Sequence, residues 1–278
     1  MTVKRRSTFF GLSGSSGSRA FDSDVVAWEA AVIANGGTVS LARRIIIDQF
    51  VFSEKASGTW ALTDDYWLLW GEDAAQALTS LKQRELCTAV NSPTFTADRS
   101  YLFDGATDYL LTGFTPSTDG INLTGSDLRL ATYERVNLSS SSYSIGARVG
   151  TNPAMGMIPR ASSSMTGVLN NITTSATFTL SPADSRGLKV VSRAGGGTTM
   201  LAYDRGVRLT DVTTLTAGGA TLPTVPLMIG AYNSGGTPIS HRPATIGFAA
   251  VGAPLSDAQE LAQYSNVQAM ATSIGANV

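Results

Sequence analysis

Carboxylates that could act as a catalytic pair are scarce in this sequence. Retaining glycoside hydrolysis needs an acid and a nucleophile about 5 Å apart. After Cys87 the chain has only two glutamates, Glu134 and Glu260, and no second carboxylate lies within five residues of Glu134. No predicted strand carries two aspartates at alternate positions. We therefore expect no glycosidase activity, and Glu134 is the residue whose substitution would test this.

Other catalytic chemistry has equally few residues to use. His241 is the single histidine, so a Ser-His-Asp mechanism would have to use it, but it lies in a predicted loop without a Gly-x-Ser-x-Gly elbow. Cys87 is the single cysteine, which excludes an intrachain disulfide and a cysteine metal cluster. We predict that the chain is not an enzyme and has no cofactor.

Calcium could be held by oxygen ligands from predicted loops. Asp104, Asp108 and Asp119 are the nearest cluster, and Asp204 and Asp211 lie elsewhere. Aspartates in Asp-Gly and Asp-x-Gly turns are also required by the turn itself, because the side chain bonds to its own backbone. We favour the turn role and assign no metal site, which leaves Ca²⁺ as an alternative without a supporting motif.

Carbohydrate binding would use aromatic rings on loops beside amide and carboxylate groups. The candidates are Tyr143, Tyr203, Tyr232 and Asn233, the last followed by Gly235-Gly236. Each tyrosine could equally be a core or sheet-edge residue, and that is the interpretation we favour.

Charge and hydropathy exclude two classes of partner. Twenty Lys and Arg against twenty-one Asp and Glu give a net charge of -1, which offers no electrostatic footprint for nucleic acid. No apolar run reaches the roughly eighteen residues that span a membrane, and the N-terminus lacks the apolar stretch of a secretory signal. Arginine outnumbers lysine sixteen to four, which favours bidentate contacts at assembly interfaces.

The first twenty-one residues form a basic arm rich in Ser and Gly, because the first acidic residue is Asp22. Such a sequence has no means of ordering itself, so it is either a solvated tail or lies on a partner chain. We expect it to lie on a partner. The candidate docking residues are Lys4, Arg5, Arg6, Phe9, Phe10 and Arg19.

The chain changes character near residue 90. All four tryptophans precede that point, together with patterns that predict helices over residues 22–35, 40–57, 64–70 and 74–81. The β-branched run Ile45-Ile46-Ile47 in the second of these leaves a strand as its alternative. After Asn91, short alternating segments separated by Gly, Pro, Asn and Ser clusters are typical of an antiparallel sandwich. We predict strands over residues 94–103, 127–136, 143–149, 154–158, 187–194, 199–204, 207–209, 227–231 and 244–251. Ser256 and Gln259 form a capping box that opens a terminal helix.

Four motifs follow one another from about residue 95. They are YLFDGATDYL at 101–110, MLAYDRGV at 200–207, LMIGAY at 227–232, and TIGFA at 245–249 followed by LSDAQ at 255–259. Their order resembles the concanavalin-A-like lectin/glucanase superfamily, particularly laminin-G-like modules. The resemblance implies a jelly-roll β-sandwich, but the Glu-x-Asp-x-x-Glu strand of the superfamily's glucanases is missing. Residues 24–78 resemble the region before such domains in tail-associated and prophage particle proteins.

These observations predict a mainly β protein in three parts. The parts are a basic arm at 1–21, a helical docking domain at 22–90, and at 91–278 an antiparallel jelly-roll β-sandwich ending in a helix. The resemblance implies a non-enzymatic structural component of a tailed-bacteriophage virion (head decoration, collar, baseplate or fibre-associated), made in the bacterial host cytoplasm. Its expected partners are other virion proteins and further copies of itself in a symmetric particle. The alternative is a receptor-binding module that binds a host surface glycan.

Overall fold

The computed structural model describes residues 20–170, 175–212, 219 and 221–278. The helices in these ranges are α1 (Ser23–Ala34), α2 (Leu41–Ala56), α3 (Thr59–Leu62), α4 (Ala74–Leu78), α5 (Pro116–Asp119) and α6 (Asp257–Ser273). The strands are β1 (Thr63–Leu68), β2 (Thr88–Val90), β3 (Thr94–Thr96), β4 (Ser100–Leu102), β5 (Tyr109–Leu111), β6 (Leu128–Glu134), β7 (Ile145–Arg148), β8 (Ala154–Ala161), β9 (Ser164–Leu169), β10 (Ala176–Thr179), β11 (Gly187–Arg193), β12 (Leu201–Asp204), β13 (Val207–Arg208), β14 (Met228–Ile229), β15 (Tyr232–Ser234), β16 (Thr237–Ile239) and β17 (Thr245–Gly252).

The strands form two sheets. Sheet one has the order β13-β12-β11-β6-β17-β4-β3, and β1 continues along the same edge of β17 that β4 uses. Sheet two has the order β10-β9-β8-β7-β14-β5-β2, with the β15–β16 hairpin also joined to β7. Within the described ranges, the strand pairs are antiparallel except β15 beside β7. The predicted antiparallel β-sandwich with N- and C-terminal helices is confirmed.

Alternation along the strands creates two hydrophobic layers. In β6, Leu128 and Leu130 face the interior between the sheets, where they meet side chains of sheet two such as Met155. Ala131 and Tyr133 point to the other face of sheet one and pack under α1, α2 and α6. The helices therefore cover the outer face of sheet one.

The long helices begin at the residues that the sequence predicts. Asp22 and Ser40 cap α1 and α2 by accepting hydrogen bonds from backbone amides of the first turn. Ser256 and Gln259 form the predicted capping box of α6. Each cap satisfies amides that have no partner within their own helix.

A buried polar cluster fastens α6 to both sheet one and α2. Arg129 of β6 forms a bidentate ion pair with Glu260, and its Nη2 also donates to Gln263 Oε1 at 2.5 Å. Gln263 Nε2 in turn donates to Glu54 of α2 at 2.9 Å, and Glu54 also accepts from the Tyr66 hydroxyl at 2.8 Å. The helical layer is thus joined to the sheet by directional bonds as well as by apolar contact.

Residues 64–70, predicted as a short helix, begin as strand β1, so that prediction is wrong. Tyr66 faces the helices while Trp67 faces the interior, which is the alternation of a strand buried on both sides. The carboxylate of Asp64 accepts from backbone amides of 122 and 123, and that of Asp65 from amides of 82 and 83. Both aspartates anchor loops and do not cap a helix.

The expected boundary at residue 90 does not separate two structural units. β1 belongs to sheet one, β2 is an edge strand of sheet two, and α1 and α2 share a hydrophobic cluster with sheet one. The segment predicted as a helical docking domain, residues 22–90, therefore completes the sandwich that continues through residue 278.

Candidate functional site

The outer face of sheet two lies on the opposite side of the sandwich from the helices. In β7, Ile145 and Ala147 point into the core, so Gly146 and Arg148 lie on the outer face. β15 runs beside β7 with Ser234 next to Arg148, which places Tyr232 and Ser234 on the same outer face.

Two glycines make room there for two aromatic rings. Gly146 and Gly156 are paired across β7 and β8. A Cβ atom on Gly146 would lie 2.4 Å from Cδ2 of Tyr232, and one on Gly156 would lie 2.7 Å from Cε1 of Tyr143. Only residues without a side chain at these two positions let the rings rest against the strands.

The two tyrosines form a stacked pair. Their ring centroids are 4.2 Å apart with an interplanar angle of 20°. Tyr232 is only 2% exposed, whereas Tyr143 is partly exposed and is the ring that a ligand can reach. The guanidinium carbon of Arg148 lies 5.6 Å from the Tyr232 centroid, and its Nε donates to Ser234 Oγ at 2.9 Å. We call Tyr143, Arg148, Tyr232 and Ser234, together with the two glycines beneath them, the tyrosine site.

Burial controls the electrostatics of this site. It raises the pKa of Tyr143 and the pKa of Tyr232, so both phenols stay protonated at neutral pH. The Tyr232 hydroxyl has no hydrogen-bond partner within the described part of the chain. A buried polar group left unpaired costs about 1–3 kcal/mol, which makes this oxygen a position where a bound molecule or water gains a bond.

Of the four predicted glycan-binding residues, the structure brings Tyr143 and Tyr232 together. Asn233 follows Tyr232 but points inward: its Nδ2 donates to the Pro226 carbonyl and its Oδ1 accepts from the Gly236 amide, both at 2.8 Å. It holds the β15–β16 turn.

Tyr203 belongs to the opposite sheet, where it is 1% exposed under α6 and its hydroxyl donates to Asp257 Oδ1 at 2.7 Å. Neither Asn233 nor Tyr203 presents a ligand-binding group at the tyrosine site. Arg148 was not among the residues predicted from the sequence. Its position two residues after Gly146 on a predicted strand places both residues on the same face of the sheet and could have identified it.

The second notable surface is the solvent side of α1 and α2. An amphipathic helix normally turns polar residues to water. The exposed positions of α1 instead include Val26, Ala30, Ile33 and Ala34, and those of α2 include Leu41, Ala42, Ile45 and Ala56. Ile33 is 59% exposed, Leu41 66% and Ile45 53%.

We call Val26, Ile33, Leu41 and Ile45 the helical face. Ile45 also borders a groove of about 250 Å³ between α2 and α6, which Phe50 and Met270 help to line. Exposed apolar side chains of this size on neighbouring helices are typical of a surface that a further protein covers. The predicted docking residues Lys4, Arg5, Arg6, Phe9, Phe10 and Arg19 lie outside the described residues.

The remaining candidate groups have structural partners. Glu134 is fully buried in an ion pair with Arg242, and Glu260 is paired with Arg129, so neither carboxylate faces a surface where a substrate could bind. The Asp104 carboxylate accepts from the amides of residues 106, 107 and 108, which lowers the pKa of Asp104 and is the turn role expected from sequence.

Three of the other loop aspartates bind protein groups as well. Asp119 accepts from the Thr118 hydroxyl, Asp204 pairs with Lys189, and Asp211 pairs with Arg208. Within the described ranges, no three or more His, Cys, Asp or Glu side chains are grouped so that they could hold a metal. No helix there has the length and apolarity to cross a bilayer.

Comparisons with known proteins show the fold alone. No protein-family model matches the sequence, and no curated protein matches it significantly. The chain is similar to a mutant of HCR/D, with a TM-score of 0.52 and 11% identity over 74% of this chain and 53% of that one. It is also similar to the binding domain of botulinum neurotoxin serotype D, with a TM-score of 0.50 and 10% identity over 74% and 52%.

A third similar structure is Trypanosoma rangeli sialidase in complex with the inhibitor DANA, with a TM-score of 0.49 and 12% identity over 81% and 39%. The chain thus spans about half the length of the first two structures. The likeness to the first two structures is one of β-sandwich fold.

Proposed function

We propose that the chain is a non-enzymatic structural subunit of a bacteriophage virion, which docks on the particle through its N-terminal region and displays the sandwich. The observation that carries the docking role is the helical face. Burying an isoleucine or leucine side chain contributes about 1.5–3 kcal/mol, so covering Ile33, Leu41 and Ile45 would stabilise an assembly by several kcal/mol. The virion assignment itself rests on the sequence resemblance of residues 24–78.

The arrangement of the two surfaces supports this proposal. The helical face is on one side of the sandwich and the tyrosine site is on the other, with both sheets between them. A chain that docks through its helices therefore leaves the outer face of sheet two free. The expected partners are other virion proteins and symmetry-related copies of this chain.

A second candidate function, compatible with the first, is that of a glycan- or receptor-binding adhesion module. The tyrosine site favours it, because a partly exposed ring backed by a second ring offers a rigid apolar platform for the face of a sugar. One of the similar structures is the binding domain of botulinum neurotoxin serotype D. That similarity of fold supports a scaffold that displays a binding surface.

Localisation on particles tests the first function. Virions purified from a lysate in which the chain is produced with its phage are labelled with an antibody to the chain and viewed by electron microscopy. We expect regular, symmetric labelling, and deletion of residues 1–21 is expected to abolish it. Unlabelled virions beside abundant free chain would contradict the proposal. Glycan binding by the purified chain tests the second function independently.

A further inference from the structure

Arg148 in the tyrosine site has hydrogen-bonding capacity that no described residue uses. Its Nε donates to Ser234 Oγ, which fixes the guanidinium over the Tyr232 ring. Its two terminal nitrogens form no hydrogen bond with any described residue, and no described carboxylate lies within ion-pair distance. In contrast, four other arginines each form an ion pair with a carboxylate: Arg129, Arg186, Arg208 and Arg242.

A guanidinium held by its Nε presents both terminal nitrogens in a plane. This fork matches the two oxygens of a carboxylate, and arginine is the residue that proteins use for such bidentate recognition. Arg148 is only partly exposed and lies against an aromatic ring, so a carboxylate bound there would be partly shielded from water.

The neighbouring rings define the rest of the ligand. Tyr143 offers an aromatic face, which suits the apolar face of a pyranose ring. The Tyr232 hydroxyl, buried and without a partner among the described residues, is a second polar group of the site after Arg148. Among the described residues, an aromatic platform, a cation whose two terminal nitrogens form no hydrogen bond and an unpaired hydroxyl thus occur together.

From this juxtaposition we infer that the tyrosine site binds a saccharide bearing a carboxylate, with the carboxylate on Arg148 and the sugar ring on Tyr143. This inference rests on the proposed glycan-binding function and narrows it to acidic sugars. The Tyr232 hydroxyl contributes a hydrogen bond to the same ligand or to a water that the ligand holds.

The test uses the full chain and glycans presented in pairs that differ only in charge. Sialyllactose is compared with the methyl ester of its sialic acid carboxylate, and trigalacturonate with its methyl ester. A bidentate charge-assisted contact predicts roughly 10- to 100-fold tighter binding of the charged member. Arg148→Gln is expected to remove that preference, whereas Arg186→Gln, which changes an exposed arginine on the segment before β11, is expected to keep it.

The outcomes separate this inference from the function on which it rests. Equal binding of both members of each pair would overturn the acidic-sugar assignment and leave glycan binding standing. Binding of neither member would overturn both. If Arg148→Gln still binds the charged glycan more tightly than the neutral one, another group recognises the carboxylate and the inference is overturned.

A second variant addresses the buried hydroxyl. Tyr232→Phe removes an unpaired polar atom, so the variant should be at least as stable as the parent chain. Its affinity for the acidic glycan is nevertheless expected to fall several-fold. Unchanged affinity would exclude the Tyr232 hydroxyl from the site.

Discussion

Glu134 and Arg242 form a fully buried bidentate ion pair, with Arg242 Nη2 at 3.0 Å from Glu134 Oε2. The third nitrogen of the Arg242 guanidinium, Nη1, donates hydrogen bonds to the carbonyl oxygens of Ser140 and Ser142 at 3.0 and 2.9 Å. These two residues lead directly to Tyr143. A carboxylate that could be mistaken for a catalytic group is therefore the anchor of the segment that positions the tyrosine site.

Glu134→Gln is expected to lower the free energy of unfolding by about 3–5 kcal/mol, because it leaves the buried charge of Arg242 without its partner. Urea unfolding measures this change. The matched control is Glu29→Gln, which removes a partly exposed pair with Arg44 at 3.1 Å and should cost less than about 1 kcal/mol. Equal stability of the two variants would show that the buried pair does not anchor the fold.

Gly247 in β17 allows a close contact with the side chain of Trp70. The Trp70 indole lies against Gly247, where a Cβ atom would be 1.9 Å from Trp70 Nε1. Gly247→Ala should therefore displace the indole and destabilise the chain by about 1–3 kcal/mol. The control is Gly197→Ala, whose Cβ would lie 3.6 Å from the nearest atom. Thermal unfolding of both variants checks this, and a Gly247→Ala midpoint equal to that of Gly197→Ala would contradict the packing described.

The free energy of unfolding should depend on the ionisation of Asp65 between pH 4 and pH 7. Burial raises the pKa of Asp65 from 3.8 to about 6, although hydrogen bonds from Ser80 and from backbone amides oppose the shift. The folded chain therefore holds this proton more tightly than the unfolded chain does. The ionised carboxylate destabilises the fold above about pH 6, and this penalty disappears as the pH falls toward 4.

The measurement is the difference in unfolding free energy between the parent chain and Asp65→Asn. Because asparagine does not titrate in this range, that difference should shift in favour of the parent chain, by up to about 3 kcal/mol, from pH 7 to pH 4. A difference that is constant with pH, or that shifts toward the variant, would exclude a raised pKa at Asp65.

The sequence predicts well those elements whose ends carry local chemical signals. The caps at Asp22, Ser40 and Ser256 specify the starts of the long helices, since a side-chain oxygen there satisfies an amide within three residues. The helix predicted over residues 64–70 is wrong, because a segment that is buried on both sides has no hydrophobic periodicity that distinguishes a strand from a helix. Only the pairing with β17, about 180 residues away, decides it.

The tyrosine site was only partly predictable for a similar reason. Tyr143 and Tyr232 are distant in sequence, and their stacking depends on the pairing of β15 with β7. Tyr203 has the same residue type but lies on the sheet that the helices cover. Gly146 and Gly156 are the local clue, because a glycine inside a predicted strand often marks a close approach by another group.

Incorporation of helical-face variants into virions tests the central claim most directly. The double variant Ile33→Ser, Ile45→Ser changes two exposed side chains and should remain folded by urea unfolding. The loss of two buried isoleucines at an interface should reduce incorporation by more than about tenfold. Ile121→Ser, at an exposed isoleucine outside the helical face, should incorporate like the parent chain. A folded double variant that enters virions at the parental level would contradict docking through the helical face.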